Sequence, residues 1–183
     1  MTPDTAPPTP GEPLRLHIGG TETRPGWKIL NIQPGPGVDF VGDCTNLGQF
    51  ADDSVDEVYA SHVFEHLGYQ QELPKALKEV QRVLRPGGKF RIGVPDVELL
   101  AKMLVLPGLD INGRFHVMRM MFGGQIDAYD FHKVGLTWEF LTQFLGQAGF
   151  TDATRVQEFG LFQDCTAIVF AGQHISLNVV ATQ

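Results

Sequence analysis

The sequence has little cysteine: Cys44 and Cys165 are the only two among 183 residues, and they lie far apart. That excludes a disulfide framework and makes a reducing, cytoplasmic location the expectation. Clustered positive charge is also missing. Lys and Arg number 14 against 21 Asp and Glu, the formal net charge is −7, and no basic run exceeds two residues. Non-specific nucleic-acid binding needs Lys and Arg gathered to neutralise phosphate, so no nucleic-acid partner is expected. No apolar run approaches the ~18–20 residues that span a bilayer, so no membrane partner is expected either. The first residues, MTPDTAPPTPGEP, offer neither a positive start nor an apolar stretch, which argues against a signal peptide. They hold five of the twelve prolines and almost no large apolar side chains, the composition of a disordered tail over 1–13.

What is present suits one domain over 14–183. With 43% apolar and 19% charged residues the chain can bury a real core. Strand-like and helix-like segments alternate. Leu14–Ile18, Trp27–Ile32, Val38–Val41 and Val55–Ala60 read as short buried strands. Gln71–Leu84 places Leu73, Leu77, Val80 and Leu84 at helical spacing and is stopped by Arg85-Pro86-Gly87-Gly88. Lys89–Val94 is a fifth strand, and Val97–Leu106 and Arg114–Phe122 are helices. Thr137 is placed to cap a helix that runs to Ala148 and closes at Gly149. Ala153–Glu158, Thr166–Ala171 and Ile175–Ala181 are β-like, with Gly172-Gln173 between the last two as a hairpin turn. The pattern predicts an α/β fold, a mostly parallel sheet with an antiparallel edge. Ligands of such sheets bind beyond the carboxyl ends of the strands, which directs attention to Gly19-Gly20, Asn31–Gln33, Asp43–Thr45, Ser61–His66 and Pro95-Asp96.

One stretch, LRLHIGGTETRPGWKILNIQPG (residues 14–35), sets a strand against two glycines, as nucleotide-binding domains do. Normally a helix follows and turns its N-terminal amides toward the ligand. Here only TETRPGW separates Gly20 from Lys28, and a crossover helix of about 10–12 residues does not fit. The expectation is an abbreviated cradle, with loop N–H groups and Arg24 left to meet a carboxylate.

The segment DDSVDEVYASHVFEHL…ALKEVQRVLRPGGKFRIGVPD, within residues 52–96, resembles the middle of class I S-adenosylmethionine-dependent methyltransferases. The chain is most similar to a compact bacterial subgroup in which the first glycine loop passes almost directly into "GW…N". The resemblance implies a Rossmann-like, seven-stranded sheet of order 3-2-1-4-5-7-6 with its first crossover helix shortened or absent. It implies S-adenosylmethionine as cofactor, bound by Gly19, Gly20, Asn31, Gln33, Asp43, Cys44, Ser61 and His62. Within that set, the glycines would face the methionine part. Asp43 would meet the adenine amino group, with backbone contacts from Cys44. Ser61 and His62 would lie beside the methyl group. Two positions depart from the family pattern. The usual G-x-G is HIGG, and Gln33 stands where an acidic residue grips the ribose hydroxyls. A neutral amide holds ribose less firmly, because charge-assisted hydrogen bonds are about twice as strong as neutral ones.

Methyl transfer needs an aligned nucleophile, a dry site and, for a hydroxyl acceptor, a base. His62, Glu65 and His132 are the candidates. His66 reads rather as a brace of the helix after the fourth strand, and Asp130 as a partner that orients His132, with Tyr129 nearby. Residues 62–66 also match H-x-x-E-H, a zinc-protease signature that would need both histidines on one helical face and a distant ligand such as Glu139. The Met-rich VMRMMFGG (117–124) suits a core helix or an adaptable pocket wall. The sequence therefore points to methyl transfer onto a small molecule or a saccharide precursor, with no metal. A non-catalytic domain of the same fold with weak cofactor binding, and a zinc hydrolase using His62, Glu65 and His66, are the alternatives. The oligomeric state is open, a homodimer included.

Overall fold

A computed structural model describes residues 13–183; the tail expected over 1–13 lies, but for Pro13, outside the described residues. Seven strands form one sheet. They are β1 (Arg15–Ile18), β2 (Trp27–Asn31), β3 (Phe40–Val41), β4 (Val55–Ser61), β5 (Leu84–Pro95), β6 (Asp152–Val156) and the last strand, β9 (Ser176–Thr182). Their order is β3-β2-β1-β4-β5-β9-β6. This is the expected 3-2-1-4-5-7-6 arrangement, with the C-terminal strand inserted beside β5. Pairing is parallel from β3 through β5 and antiparallel where β9 joins β5 and β6.

Four α-helices accompany the sheet: α1 (Glu72–Val83), α2 (Val97–Leu104), α3 (Ile111–Phe122) and α4 (Trp138–Ala148). The apolar stripe of α1 is fully buried: Leu73, Ala76, Leu77, Val80 and Val83. With Leu141 and Leu145 of α4 it packs on Leu16, Ile18, Leu30, Val58, Ala60 and Phe90, one face of the sheet. Side chains alternate across a strand, so His17, Trp27 and Tyr59 point to the other face. The caps follow from local chemistry. Thr137 accepts from the Phe140 amide at 3.3 Å, and Gly149 closes α4 at φ +108°, a conformation glycine adopts freely. Asp96 and Asp110 accept from the amides of Leu99 and Gly113 and so start α2 and α3.

Some expectations need correction. Thr166–Ala171 is not a strand of the main sheet. Asp164 caps a short 3₁₀ turn (Cys165–Ala167), and only Val169–Phe170 (β7) pairs, with Gln173–His174 (β8), as a separate ribbon turning at Gly172. The third strand shrinks to Phe40–Val41, and helix α3 begins at Ile111 because Asp110 caps it. The Met-rich helix packs by one side only: Val117, with Met120 and Met121 against it, joins Leu100, Met103 and Ile175 in a second core cluster, while Ile111, Phe115 and Phe122 are exposed. Residues 85–88 do end α1, but as an excursion of β5. Val55 pairs with Leu84 and the ladder resumes at Glu57 with Lys89.

The most consequential feature is what covers the second face. No α-helix joins β1, β2, β3 and β4. In their place the loop after β6 folds back. Phe159, Leu161 and Phe162 pack on Trp27 and Tyr59, and the Phe162 ring lies 4.1 Å from that of His17. Tyr59 anchors the loop by donating its hydroxyl to Asp164 at 2.6 Å.

Candidate functional site

A cavity of about 290 Å³ opens at the carboxyl ends of β1, β2 and β4. Parallel sheets bind ligands there, where neighbouring connections leave the strands in opposite directions. Of the residues singled out from sequence, Gly19, Asn31, Asp43, Cys44 and His62 line this cavity. Gly20, Gln33, Ser61, Glu65 and His132 do not.

Gly19 follows β1 at φ +73°, and its amide donates to the Leu30 carbonyl at 2.8 Å. A Cβ there would meet Val63 Cγ2 at 2.4 Å, so only glycine fits. Gly20 serves the opposite side: a Cβ on it would strike the His17 ring. Asn31 ties the two strand ends together. Its Nδ2 donates to the Gly20 carbonyl at 3.1 Å, and its Oδ1 accepts from the Gln33 amide at 3.0 Å. The Gln33 side chain itself is exposed, away from the cavity. Asp43 holds its turn by accepting from the Thr45 amide at 2.8 Å. Burial, and then the Asp43 carboxylate, push the neighbouring Cys44 thiol up to about 12, so it stays protonated and unreactive. Arg24, expected to meet a carboxylate, lies instead over the Phe162 ring, 5.7 Å from its centroid.

The basic side chains gather just past β4. His62 takes a left-handed conformation (φ +52°), uncommon outside glycine, and its amide donates to the Gly93 carbonyl at 2.8 Å. Its Nε2 is 2.8 Å from Ser176 Oγ, and its Nδ1 is 3.3 Å from Glu65 Oε1. Glu65 is 1% exposed, and neither carboxylate oxygen makes a hydrogen bond. His132 arrives from the segment after α3, with Nε2 3.9 Å from the same Glu65 oxygen and Nδ1 3.3 Å from the Met121 carbonyl. Burial lowers the pKa of His132, opposed by Glu65. His66 lines the cavity and packs edge-on against His132 at 4.9 Å. It is thus more than the brace it resembles in sequence. Asp130 does not orient His132; its side chain accepts from the Ile126 amide.

Tyr129, named from the sequence, lies in the outer wall; sequence reasoning missed its neighbours Phe131 and Lys133 and also Glu72, which pairs with Lys133 at 3.0 Å. The only signal for Phe131 and Lys133 was position between the fifth strand and the last helix, and Glu72 at the start of α1 gave none. The H-x-x-E-H geometry is not formed. Phe64–His66 is a single 3₁₀ turn, His62 precedes it with Nε2 committed to Ser176, and Glu139 is exposed on α4. Two histidines share a helical face only within an α-helix.

Comparisons with known proteins agree with this geometry. Residues 26–92 match the sequence profile of the family described as "Methyltransferase domain". No curated protein matches the chain in sequence. Among solved structures, a SAM-dependent methyltransferase from Archaeoglobus fulgidus superposes with TM-score 0.59 at 16% identity, over 94% of this chain and 87% of that one. The YcgJ protein of Bacillus subtilis gives 0.56 at 14% identity, over 94% and 92%. Against a longer relative, the CurJ carbon methyltransferase, the chain spans half the length: TM-score 0.52, 16% identity, 95% of this chain and 50% of that one. No helix among the described residues is long and apolar enough to cross a membrane. The described chain thus has the Rossmann-like fold of these methyltransferases, with their strand order, and residues 26–92 match the methyltransferase-domain profile.

Proposed function

We propose that the protein binds S-adenosylmethionine in the 290 Å³ cavity and transfers its methyl group to a small molecule or a saccharide precursor. The observation that carries this reading is the convergence of Gly19, Asn31, Asp43, Cys44 and His62 on one cavity at the strand ends. The volume sits near the lower bound of about 300–1,000 Å³ for small-molecule sites, so the cofactor occupies it and the acceptor approaches from its mouth. The residues suit the cofactor: the bare Cα of Gly19 admits a close approach, Asp43 offers a carboxylate to an amino group, and Ile18, Leu30 and Ile32 give an apolar wall.

When bound, the cofactor supplies an electrophilic methyl group on a sulfonium. The rest falls to the chain. Gly19 and Asn31 hold the cradle open, and Asn31 rather than Gln33 meets the ribose. Tyr129 and Phe131, 52% and 44% exposed at the rim, present aromatic faces on which a sugar ring can lie and which shed water as it binds. A proton from an acceptor hydroxyl is held at His62 Nδ1, where the Glu65 carboxylate 3.3 Å away stabilises the imidazolium. His132 braces Glu65 from the other side. A cytoplasmic location follows from the same reading.

Titration calorimetry with S-adenosylmethionine and S-adenosylhomocysteine tests it. The expected result is micromolar binding that weakens at least about tenfold, or 1.4 kcal/mol, in Asp43→Ala. Absence of binding up to millimolar ligand would favour a non-catalytic domain, because the cradle lacks the amides of a crossover helix.

A further inference from the structure

Glu65 poses a problem that methyl transfer does not solve. A carboxylate 1% exposed, with neither oxygen hydrogen-bonded, is strongly unfavourable unless a cation compensates it. Its neighbours are imidazoles, and the hydrogen bonds around them fix which nitrogens carry protons. His66 Nδ1 lies 3.1 Å from the Phe131 carbonyl and His132 Nδ1 3.3 Å from the Met121 carbonyl. A carbonyl only accepts, so each Nδ1 carries the hydrogen and each Nε2 keeps a lone pair. Ser176 spends its one hydroxyl hydrogen on the Cys165 carbonyl, so His62 donates from Nε2 and turns the lone pair of Nδ1 toward Glu65. Lone pairs therefore face an anion, an arrangement that repels unless something positive sits between them.

We propose that Glu65, His66 and His132 bind a first-row divalent metal ion, Zn²⁺ foremost. One ligand atom from each lies within 4.8 Å of the other two. Imidazoles whose second nitrogen donates to a backbone carbonyl are the usual metal-binding form, because that bond sets tautomer and ring orientation. Two imidazoles and one carboxylate suit zinc and its neighbours rather than Mg²⁺ or Ca²⁺, which take oxygen. The two contributing segments are held in place: the amides of Lys133 and Val134 both donate to the Glu65 carbonyl, at 2.8 and 3.2 Å. Ligands about 2.1 Å from a tetrahedral ion stand roughly 3.4 Å apart, so binding draws these side chains together by about 1 Å through side-chain rotation. His66 lines the cavity, so the ion borders the acceptor's space and keeps a position for water or an acceptor oxygen. Glu65 is then a ligand, and His132 takes the place that H-x-x-E-H would give to His62. The inference stands on side-chain geometry and holds whether or not methyl transfer occurs.

The test is direct metal binding to the full chain after chelator treatment and dialysis. ZnCl₂ is followed by calorimetry, and CoCl₂ by the visible absorption that reports coordination geometry. One equivalent is expected, with Glu65→Gln and His132→Ala each weakening it by about 10²-fold or more, the scale on which even outer-sphere partners act. His116→Ala, on exposed α3 surface, leaves it unchanged, and thermal melting checks that each variant folds. No uptake by the parent chain overturns the site. So does uptake that Glu65→Gln and His132→Ala leave intact, since the ion would then sit elsewhere.

Discussion

Gly19 is the residue on which the cradle turns. Replacing it with alanine forces a Cβ to 2.4 Å from Val63 and an L side chain into positive φ. The expected cost is about 2–4 kcal/mol of stability, read from denaturant unfolding, with S-adenosylhomocysteine affinity lost in parallel. Asn31 and Gln33 make a second, sharper pair. Because Gln33 is exposed and Asn31 lines the cavity, Asn31→Ala should weaken cofactor binding about tenfold, while Gln33→Asp changes it by less than about twofold. Marked tightening in Gln33→Asp would return the ribose contact to Gln33. At this scale the sequence was partly legible. Glycines after a strand announce a close backbone approach, but nothing local distinguishes an inward Asn31 from an outward Gln33. That depends on Asn31 reaching across to the Gly20 carbonyl.

Among the elements, the loop from Phe159 to Asp164 does the work of a helix. It covers His17, Trp27 and Tyr59 with two phenylalanines and a leucine, fastened by the Tyr59–Asp164 hydrogen bond. Phe162→Ala removes the ring that touches His17, Trp27 and Tyr59, and should cost about 3–5 kcal/mol in equilibrium unfolding. Tyr59→Phe, which keeps the packing and drops the hydroxyl, should cost only about 1–2 kcal/mol. Similar losses for both would mean that the hydroxyl, and not the rings, holds the loop. The absence of a crossover helix was legible, since seven residues and Pro25-Gly26 cannot build one. Its replacement was not, because an aromatic loop far along the chain has no period to betray which face it will cover. The same limit hid His132 against Glu65: they meet through backbone bonds between segments distant in sequence.

For the whole molecule, stability should depend on pH through the covered face. Burial lowers the pKa of His17 to about 4 from its ordinary 6.5, against the opposing pull of the Asp164 and Glu22 carboxylates. Well above pH 6.5 neither folded nor unfolded chain protonates this ring. As pH falls from 6.5 toward 4, the unfolded chain takes up a proton that the folded one refuses, and stability declines by up to about 3 kcal/mol before levelling. His17→Leu cannot charge, so its loss of stability between about pH 7 and about pH 4 should be smaller by that amount in denaturant titrations. An equal slope in both proteins would place the acid sensitivity elsewhere. Strand order was readable only through the family resemblance; the apolar stripe of Gln71–Leu84 and its Pro86-Gly87-Gly88 stop mark where elements begin and end, not which strands lie side by side. The face the loop covers also bears on biosynthesis. A ribosome releases the chain from its N-terminus, so β1, β2 and β4 emerge with one side partly covered once α1 has formed and the other side bare. Phe159–Phe162 and the inserted β9 follow long after β4 in the chain. The nascent protein must therefore carry an exposed apolar surface until that loop and β9 have been made, a natural station for a chaperone.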